Sequence, residues 1–143
     1  MSHVIICREA LEDSVLGSFA LARAFSNRDE AIAIVFTGEA LSALDKGTFE
    51  WSRNFKTRVA QAAIVATAEE SGLPLAHREL DSRWSDIRGF VASMKEHQGM
   101  QLIACPIWCG LLGIDKGLDY LERLSEEQLV DLLKAADTVI GGY

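Results

Sequence analysis

Cys105 is the residue whose type and position could do chemistry. The stretch from Leu102 to Gly110 reads Leu-Ile-Ala-Cys-Pro-Ile-Trp-Cys-Gly, which predicts a strand, a sharp turn and the start of a helix. Pro106 suits the first helical turn because it lacks an N–H that would go unpaired there. Cys105 would then lie beside a helix N-terminus, where free N–H groups and the helix dipole favour the thiolate, the nucleophile of sulfur chemistry. The alternative is a small buried residue, as free cysteines usually are.

The two other cysteines are weaker candidates for a chemical role. Cys109 follows four residues later and would share a helical face with Cys105 if that helix is regular, so a resolving or sulfur-accepting role stands beside simple packing. The spacing is not the C-x-x-C of thioredoxin-like redox centres. Cys7 ends a buried strand run and is interpreted as core. Three cysteines are too few for a secreted disulfide framework, which predicts a reducing, cytoplasmic compartment with at least one free thiol.

Three further residues could bind a substrate beside the cysteine. Arg8 and Glu9 follow the first strand-like run, and Trp108 follows Cys105. An arginine could stabilise a thiolate or a persulfide, and a tryptophan could shield it. The alternatives are an ordinary surface cation for Arg8 and a core or subunit-interface position for Trp108. Cys109 completes the set of candidate substrate-binding residues.

Several classes of function lack support. His3, His77 and His97 should lie at the sheet edge opposite Cys105, which argues against a Cys–His hydrolase, and their scatter predicts no metal site. Phosphate-binding glycine motifs are missing, and we expect no cofactor. The net charge of −7, without a basic run, argues against nucleic acid. No apolar stretch has the length of a membrane span, and no signal-peptide pattern precedes the first strand.

The elements that must position these residues follow from apolar periodicity. Short continuous apolar runs are typical of strands buried on both faces of a parallel sheet. They are Val4 to Cys7, Ala31 to Phe36, Leu102 to Cys105 and Thr138 to Ile140, with a weaker run at Leu75 to Leu80. Helical spacing and stop signals predict helices between them. These cover Ser14 to Phe25, Arg53 to Ser71 with Phe55, Val59, Ala62 and Ala66 on one side, Ile87 to Met94, and Leu129 to Ala136.

Alternating strands and helices predict an α/β fold, a three-layer α/β/α sandwich around a mainly parallel sheet of about five strands. With 143 residues, 49% apolar and 24% charged, residues 1–143 are expected to form a single domain. Ser125 to Gln128 has the form of a capping box and should start the last helix. The segment from Thr37 to Ser52 fits the alternation poorly and is interpreted as a long surface loop with a short helix, a kind of loop that is often functional.

Ligands of open α/β sheets bind beyond the carboxyl ends of the strands, which selects a few candidate positions. These are Arg8 to Glu12, Thr37 to Glu39, Asp81 to Arg83, Cys105 to Cys109 and Gly141 to Tyr143. Cys105 is the most reactive residue type among them.

The chain resembles the DsrE/DsrF/TusD-like sulfur-relay family. The resemblance lies in Leu-Ile-Ala-Cys105, in Leu111-Leu112-Gly113-Ile114 and in the late strand Asp137-Thr138-Val139-Ile140. It implies a DsrE-like fold with flavodoxin-like layering. It also implies a persulfide sulfurtransferase or sulfur carrier that relays sulfur through Cys105 between donor and acceptor proteins, and that forms a trimer or a hexamer. The bulky Pro106-Ile107-Trp108 departs from the small residues often found after the family's cysteine.

Two alternatives stay open beside sulfur relay. One is a noncatalytic oligomer subunit or a small-ligand-binding module of the same fold, in which Cys105 is inert. The other is a redox sensor that forms a Cys105–Cys109 disulfide on mild oxidation.

Overall fold

The structure is a computed structural model that describes residues 2–73, 87–95, 100–115 and 118–141. Its sheet has five parallel strands, namely β1 (Ser2–Cys7), β2 (Ala31–Phe36), β3 (Met100–Ala104), β4 (Glu122–Arg123) and β5 (Thr138–Ile140). The α-helices in the described ranges are α1 (Glu12–Ser26), α2 (Gly38–Lys46), α3 (Arg58–Glu70), α4 (Ile87–Met94), α5 (Pro106–Leu112) and α6 (Glu126–Ala135). Within these ranges no helix has the length and apolar character needed to cross a membrane.

The strand order is β4-β3-β2-β1-β5. The chain steps from β1 to β4 in one direction and then returns across the sheet to place β5 beside β1. Right-handed crossovers put the helices of the forward steps on one face of the sheet and the returning α6 on the other. This arrangement confirms the predicted three-layer α/β/α sandwich.

Two cores lie on the two faces of the sheet, because successive side chains of a strand point in opposite directions. The first core contains Ile5, Ile34 and Ala104 with buried side chains of α1, α2, α3 and α4. The second core contains neighbouring strand residues, such as Ile103, with Leu129 of α6. The first core is much the larger of the two. In the second core, Leu129 is the only buried side chain that α6 contributes.

The predicted helix from Arg53 to Ser71 is wrong in its extent and in its buried side. A short 3-10 turn occupies Arg53–Phe55, and α3 starts only after Thr57, whose side-chain oxygen accepts a hydrogen bond from the Ala60 N–H. Phe55 is therefore off the helix, and Val59 is 82% exposed. The buried side of α3 carries Val65 and Ala68 instead.

Two other expectations need correction. The Thr37 to Ser52 segment does contain the expected short helix, but four of the nine residues of α2 are buried rather than on the surface, and three of them belong to the first core. The run from Thr138 to Ile140 is a strand as predicted, yet it is an edge strand with Val139 47% exposed.

The sequence does not predict the two-residue β4, because two exposed polar residues carry no apolar pattern. The proposed strand from Leu75 to Leu80 lies outside the described residues.

Helix α6 begins with the predicted capping box. The Ser125 hydroxyl accepts a hydrogen bond from the Gln128 N–H, and the Gln128 side chain accepts one from the Ser125 N–H. The predicted apolar stripe also forms, with Leu129 buried and Leu132, Leu133 and Ala136 packed against the second core. The cap therefore stabilises the helix that covers the smaller, second core.

Replacing Ser125 with alanine should lower the free energy of unfolding by about 1 kcal/mol, because the first-turn amide of α6 loses its acceptor. Urea denaturation followed by circular dichroism measures the change. Ser42→Ala is the matched control, since Ser42 is inside α2 and alanine is a better helix former there. An equal loss in both variants would contradict a role for the cap.

Candidate functional site

An open cleft of about 720 Å³ lies at the carboxyl ends of β1 and β2. This is the edge at which open α/β sheets bind ligands, and the volume is within the range of small-molecule sites. Its lining comes from the loop after β1, the start of α2, the loop after α2 and one residue of α5. The lining residues are Arg8, Glu9, Ala10, Leu11, Thr37, Gly38, Glu39, Thr48, Glu50 and Trp108.

Backbone hydrogen bonds fix the floor of this cleft. The Thr37 N–H donates to the Cys7 carbonyl at 2.9 Å, and the Ala40 N–H donates to the Arg8 carbonyl at 3.1 Å. Gly38 between them has a φ of +52°, in the left-handed region that glycine adopts most easily. A Cβ on Gly38 would lie 4.0 Å from the Trp108 ring, so the indole stands directly beside this turn.

The outer wall is segment 47–52, which is tied to the start of α1. The Glu50 N–H donates to the Ala10 carbonyl, and the Glu12 N–H donates to the Glu50 carbonyl at 2.7 Å. The Asp13 carboxylate accepts hydrogen bonds from both the Ser52 N–H, at 2.8 Å, and the Ser52 hydroxyl. These bonds explain how a segment that breaks the strand–helix alternation holds a defined wall.

Glu12 is buried behind this wall, with only 3% of its surface exposed. Its Oε2 has no hydrogen-bond partner among the described residues. The pKa of the Glu12 carboxyl is raised to about 8, chiefly by burial and also by the neighbouring Asp13 charge, with a hydrogen bond from the Trp51 side chain acting in the opposite direction. The carboxyl is therefore mostly protonated at neutral pH.

Cys105 is the N-cap residue of α5, at the place that the sequence predicts. Its N–H donates to the Phe36 carbonyl at 3.1 Å and extends the β3–β2 ladder. Its carbonyl accepts the first helical hydrogen bond from the Cys109 N–H at 2.9 Å, and Pro106 occupies the first helical turn. The thiol itself makes no capping hydrogen bond.

The Cys105 side chain is packed in the second core and is only 5% exposed. Cys105 has an extended backbone and continues the alternation of β3, in which Ile103 faces the second core and Ala104 faces the first. The thiol therefore points to the α6 face and does not line the cleft. The expectation of a sulfur exposed at the sheet edge is wrong for the chain as folded here.

Cys109 lies on the other side of the sheet from the Cys105 thiol. Its side chain belongs to the first core and lines a cavity of about 210 Å³ that Asp115 and Arg123 also line. Burial raises the pKa of the Cys109 thiol, the Arg123 charge opposes this, and Cys105 adds to it. Because Cys105 is outside the helix, the two thiols do not share a helical face. A Cys105–Cys109 disulfide would need one thiol to leave its core.

Cys7 is a core residue, as the sequence predicts, and is fully buried at the end of β1. The pKa of its thiol is raised to about 11, chiefly by burial, with a hydrogen bond with the Ser18 side chain lowering it and the Glu9 charge raising it. Such a thiol stays protonated at neutral pH, which makes it a poor nucleophile.

The cleft unites residues from three of the predicted positions. Arg8, Glu9 and Trp108 meet there, while Cys105 and Cys109 are directed away from it. No motif points to Thr48 and Glu50, although they belong to the segment that fits the α/β alternation poorly and is of a length often found in functional loops.

The structure also locates one of the three histidines. His3 is buried at the amino-terminal end of β1, stacked on Phe25 at 4.1 Å, so it does lie at the edge opposite Cys105. His77, His97 and the Asp81 to Arg83 position lie outside the described residues. Among the residues that the structure describes, no group of three or more His, Cys, Asp or Glu side chains could hold a metal ion.

Comparison with known proteins gives a structural likeness but no sequence match. No family model matches the chain, and no curated protein matches it in sequence. The fold is similar to the crystal structure of the YchN protein from E. coli, with a TM-score of 0.53, 14% identity and 99% of each chain covered. At this identity the likeness shows the fold alone.

Glu12 makes stability depend on pH. The folded chain holds a proton up to about pH 8, whereas an ordinary glutamate releases it near 4.5. Stability should therefore fall as the pH rises through this window. Glu12→Gln should remove this fall and stabilise the protein at pH 9 by an amount on the order of a few kcal/mol.

Urea unfolding at pH 5 and pH 9 measures this effect. Glu70→Gln removes the same charge from an exposed position at the end of α3 and should follow the native protein at both pH values. Parallel pH profiles for the native protein and Glu12→Gln would show that the buried carboxyl is not the cause.

Proposed function

We propose that this protein is a cytoplasmic sulfur carrier that relays persulfide sulfur through Cys105 between a donor and an acceptor protein. The Cys105 thiolate attacks the outer sulfur of a donor persulfide. A new S–S bond forms at Cys105 as the donor's S–S bond breaks, and the donor leaves as a thiolate. An acceptor thiolate then attacks the outer sulfur of the Cys105 persulfide and regenerates the Cys105 thiolate, so no external oxidant or reductant is needed.

The single observation that carries this proposal is the position of Cys105 as the N-cap of α5, directly after a central strand. Open α/β sheets carry their functional residues beyond the carboxyl ends of the strands, and Cys105 is the most reactive residue type at such a position in this chain. The likeness to YchN supports the DsrE-like fold that the sequence resemblance implies. The activity itself comes from the resemblance and from the chemistry of the cysteine.

Sulfur transfer through Cys105 requires that α6 move away from the second core. Leu129 is the one side chain of α6 that is buried in that core, and its neighbours Leu132 and Leu133 are only partly buried. Elements with few buried contacts open at lower free energy than the main core does. Opening of α6 is thus the proposed route from solvent, or from a partner protein, to the thiol.

A second candidate function is a noncatalytic subunit that binds a small ligand. The observation that favours it is the separation of the cleft from the Cys105 thiol, which is 5% exposed. In this case the cysteine is an inert core residue, and the cleft is the working part.

We also propose that the protein assembles as a homo-oligomer, a trimer or a hexamer, through the outer surface of α5. From Pro106 to Ile114 the chain carries no charge, although charged residues make up 24% of the sequence. Apart from Trp108, which lines the cleft, the outer surface of α5 exposes three large apolar side chains, Ile107 (49%), Leu111 (68%) and Leu112 (37%). Exposed apolar side chains in such a group are typical of protein interfaces. An uncharged surface suits a second copy of a chain whose net charge is −7.

Incubation with glutathione persulfide should increase the intact mass of the protein by one sulfur atom. The adduct should disappear in Cys105→Ser and persist in Cys109→Ala, because only Cys105 is the carrier. Circular dichroism checks that each variant folds. Retention of the adduct in Cys105→Ser, or no adduct in the native protein, would reject sulfur relay and favour the second function.

The access route has its own test. Leu129→Ala weakens the packing of α6 over Cys105 and should speed formation of the adduct. Leu16→Ala makes a comparable cavity in the first core and should have a smaller effect on the rate. Equal acceleration in both variants would mean that the thiol is reached by global unfolding rather than by opening of α6.

Leu111→Lys should convert the oligomer to monomers, because it places a charge in the apolar surface of α5. Light scattering coupled to size-exclusion chromatography measures the mass of the particle. Val59→Lys is the matched control, since Val59 is an isolated apolar residue that is 82% exposed on α3. A monomeric native protein, or dissociation by Val59→Lys as well, would overturn an interface on α5.

A further inference from the structure

We infer that the cleft at the carboxyl ends of β1 and β2 is a binding site for a small organic ammonium ion with an apolar group. This inference is independent of sulfur relay, because the Cys105 thiol points to the α6 face and does not line the cleft. It rests on the preformed cavity, on the balance of charge around it and on the exposed indole in its wall.

The charge balance of the lining favours a cation. Among the lining residues that the structure describes, Glu9, Glu39 and Glu50 contribute three carboxylates, whereas Arg8 is the one cation. Glu39 and Glu50 make no side-chain hydrogen bond or ion pair with any residue that the structure describes, so their charges remain available to a ligand. An anionic ligand would be repelled by the three carboxylates that line the cleft.

The helix N-termini around the cleft do not reverse its preference for a cation. The amide of Glu12 in α1 is bonded to the Glu50 carbonyl, and that of Ala40 in α2 is bonded to the Arg8 carbonyl. The first turn of α2 also carries Glu39, whose carboxylate offsets the positive end of the dipole. These amide groups therefore help to build the walls and are not left open for an anion.

Trp108 supplies the apolar part of the site. The indole lines the cleft, stands beside the Gly38 turn and keeps 38% of its surface exposed. An aromatic face attracts cations through its quadrupole and also packs against hydrocarbon groups. Carboxylates beside an exposed indole thus suit an ammonium group on a small apolar body. The hydrogen bonds that tie segment 47–52 to α1 hold the wall before any ligand arrives.

Titration of the full chain with phenethylammonium, followed by calorimetry or NMR, should show saturable binding. Phenylacetate has a similar size and the opposite charge, and it should bind at least several-fold more weakly. Glu39→Gln with Glu50→Gln should weaken phenethylammonium binding several-fold, and so should Trp108→Leu. Cys105→Ser should leave binding unchanged, which separates this site from sulfur relay.

Glu70→Gln provides the control for net charge. Glu70 lies close to Gly72, which packs against Arg23 in the last turn of α1, at the opposite end of that helix from the cleft. This variant should bind phenethylammonium as the native protein does. Binding of phenylacetate with equal affinity, an equal loss in Glu70→Gln, or no saturable binding of phenethylammonium would overturn the proposed site.

Discussion

The alternation of side chains along β3 is the constraint on which both candidate sites depend. In a sheet covered on both faces, each step of one residue moves a side chain from one core to the other. Ala104 faces the first core, so Cys105 must face the second, under α6. Trp108, three residues later on α5, reaches back to the cleft. A single short stretch of chain therefore serves two separate regions of the molecule.

The reversal of chain direction at β1 makes those two regions unequal. Helices α1 to α5 bury side chains on the face where the forward crossovers lie, whereas α6 covers the opposite face in the described part of the chain. The thiol of Cys105 is thus under the less extensively packed layer. Its chemistry depends on how readily that layer opens, while the cleft is formed and open in the folded chain.

The cleft owes its shape to a segment that is neither strand nor helix. Segment 47–52 is held by the Glu50 backbone and by the Asp13 carboxylate, and it encloses the buried Glu12 carboxyl. A protonated glutamate behind the wall links the stability of the molecule to pH. The fold shared with YchN says nothing about this wall, because a common fold can carry different sites.

The sequence by itself determined the α/β/α architecture, four strands within two residues at either end, the helix from Ile87 to Met94 and the capping box at Ser125. These features are local, since periodicity, capping and turn chemistry act between neighbours in the chain. Only the tertiary structure decided which face Cys105 occupies, that Arg8 and Trp108 meet Glu50 in one cleft, and that Glu12 is buried. The reason is physical: burial, the pKa of a carboxyl and the shape of a cleft arise from residues far apart in sequence, whose approach no local pattern encodes.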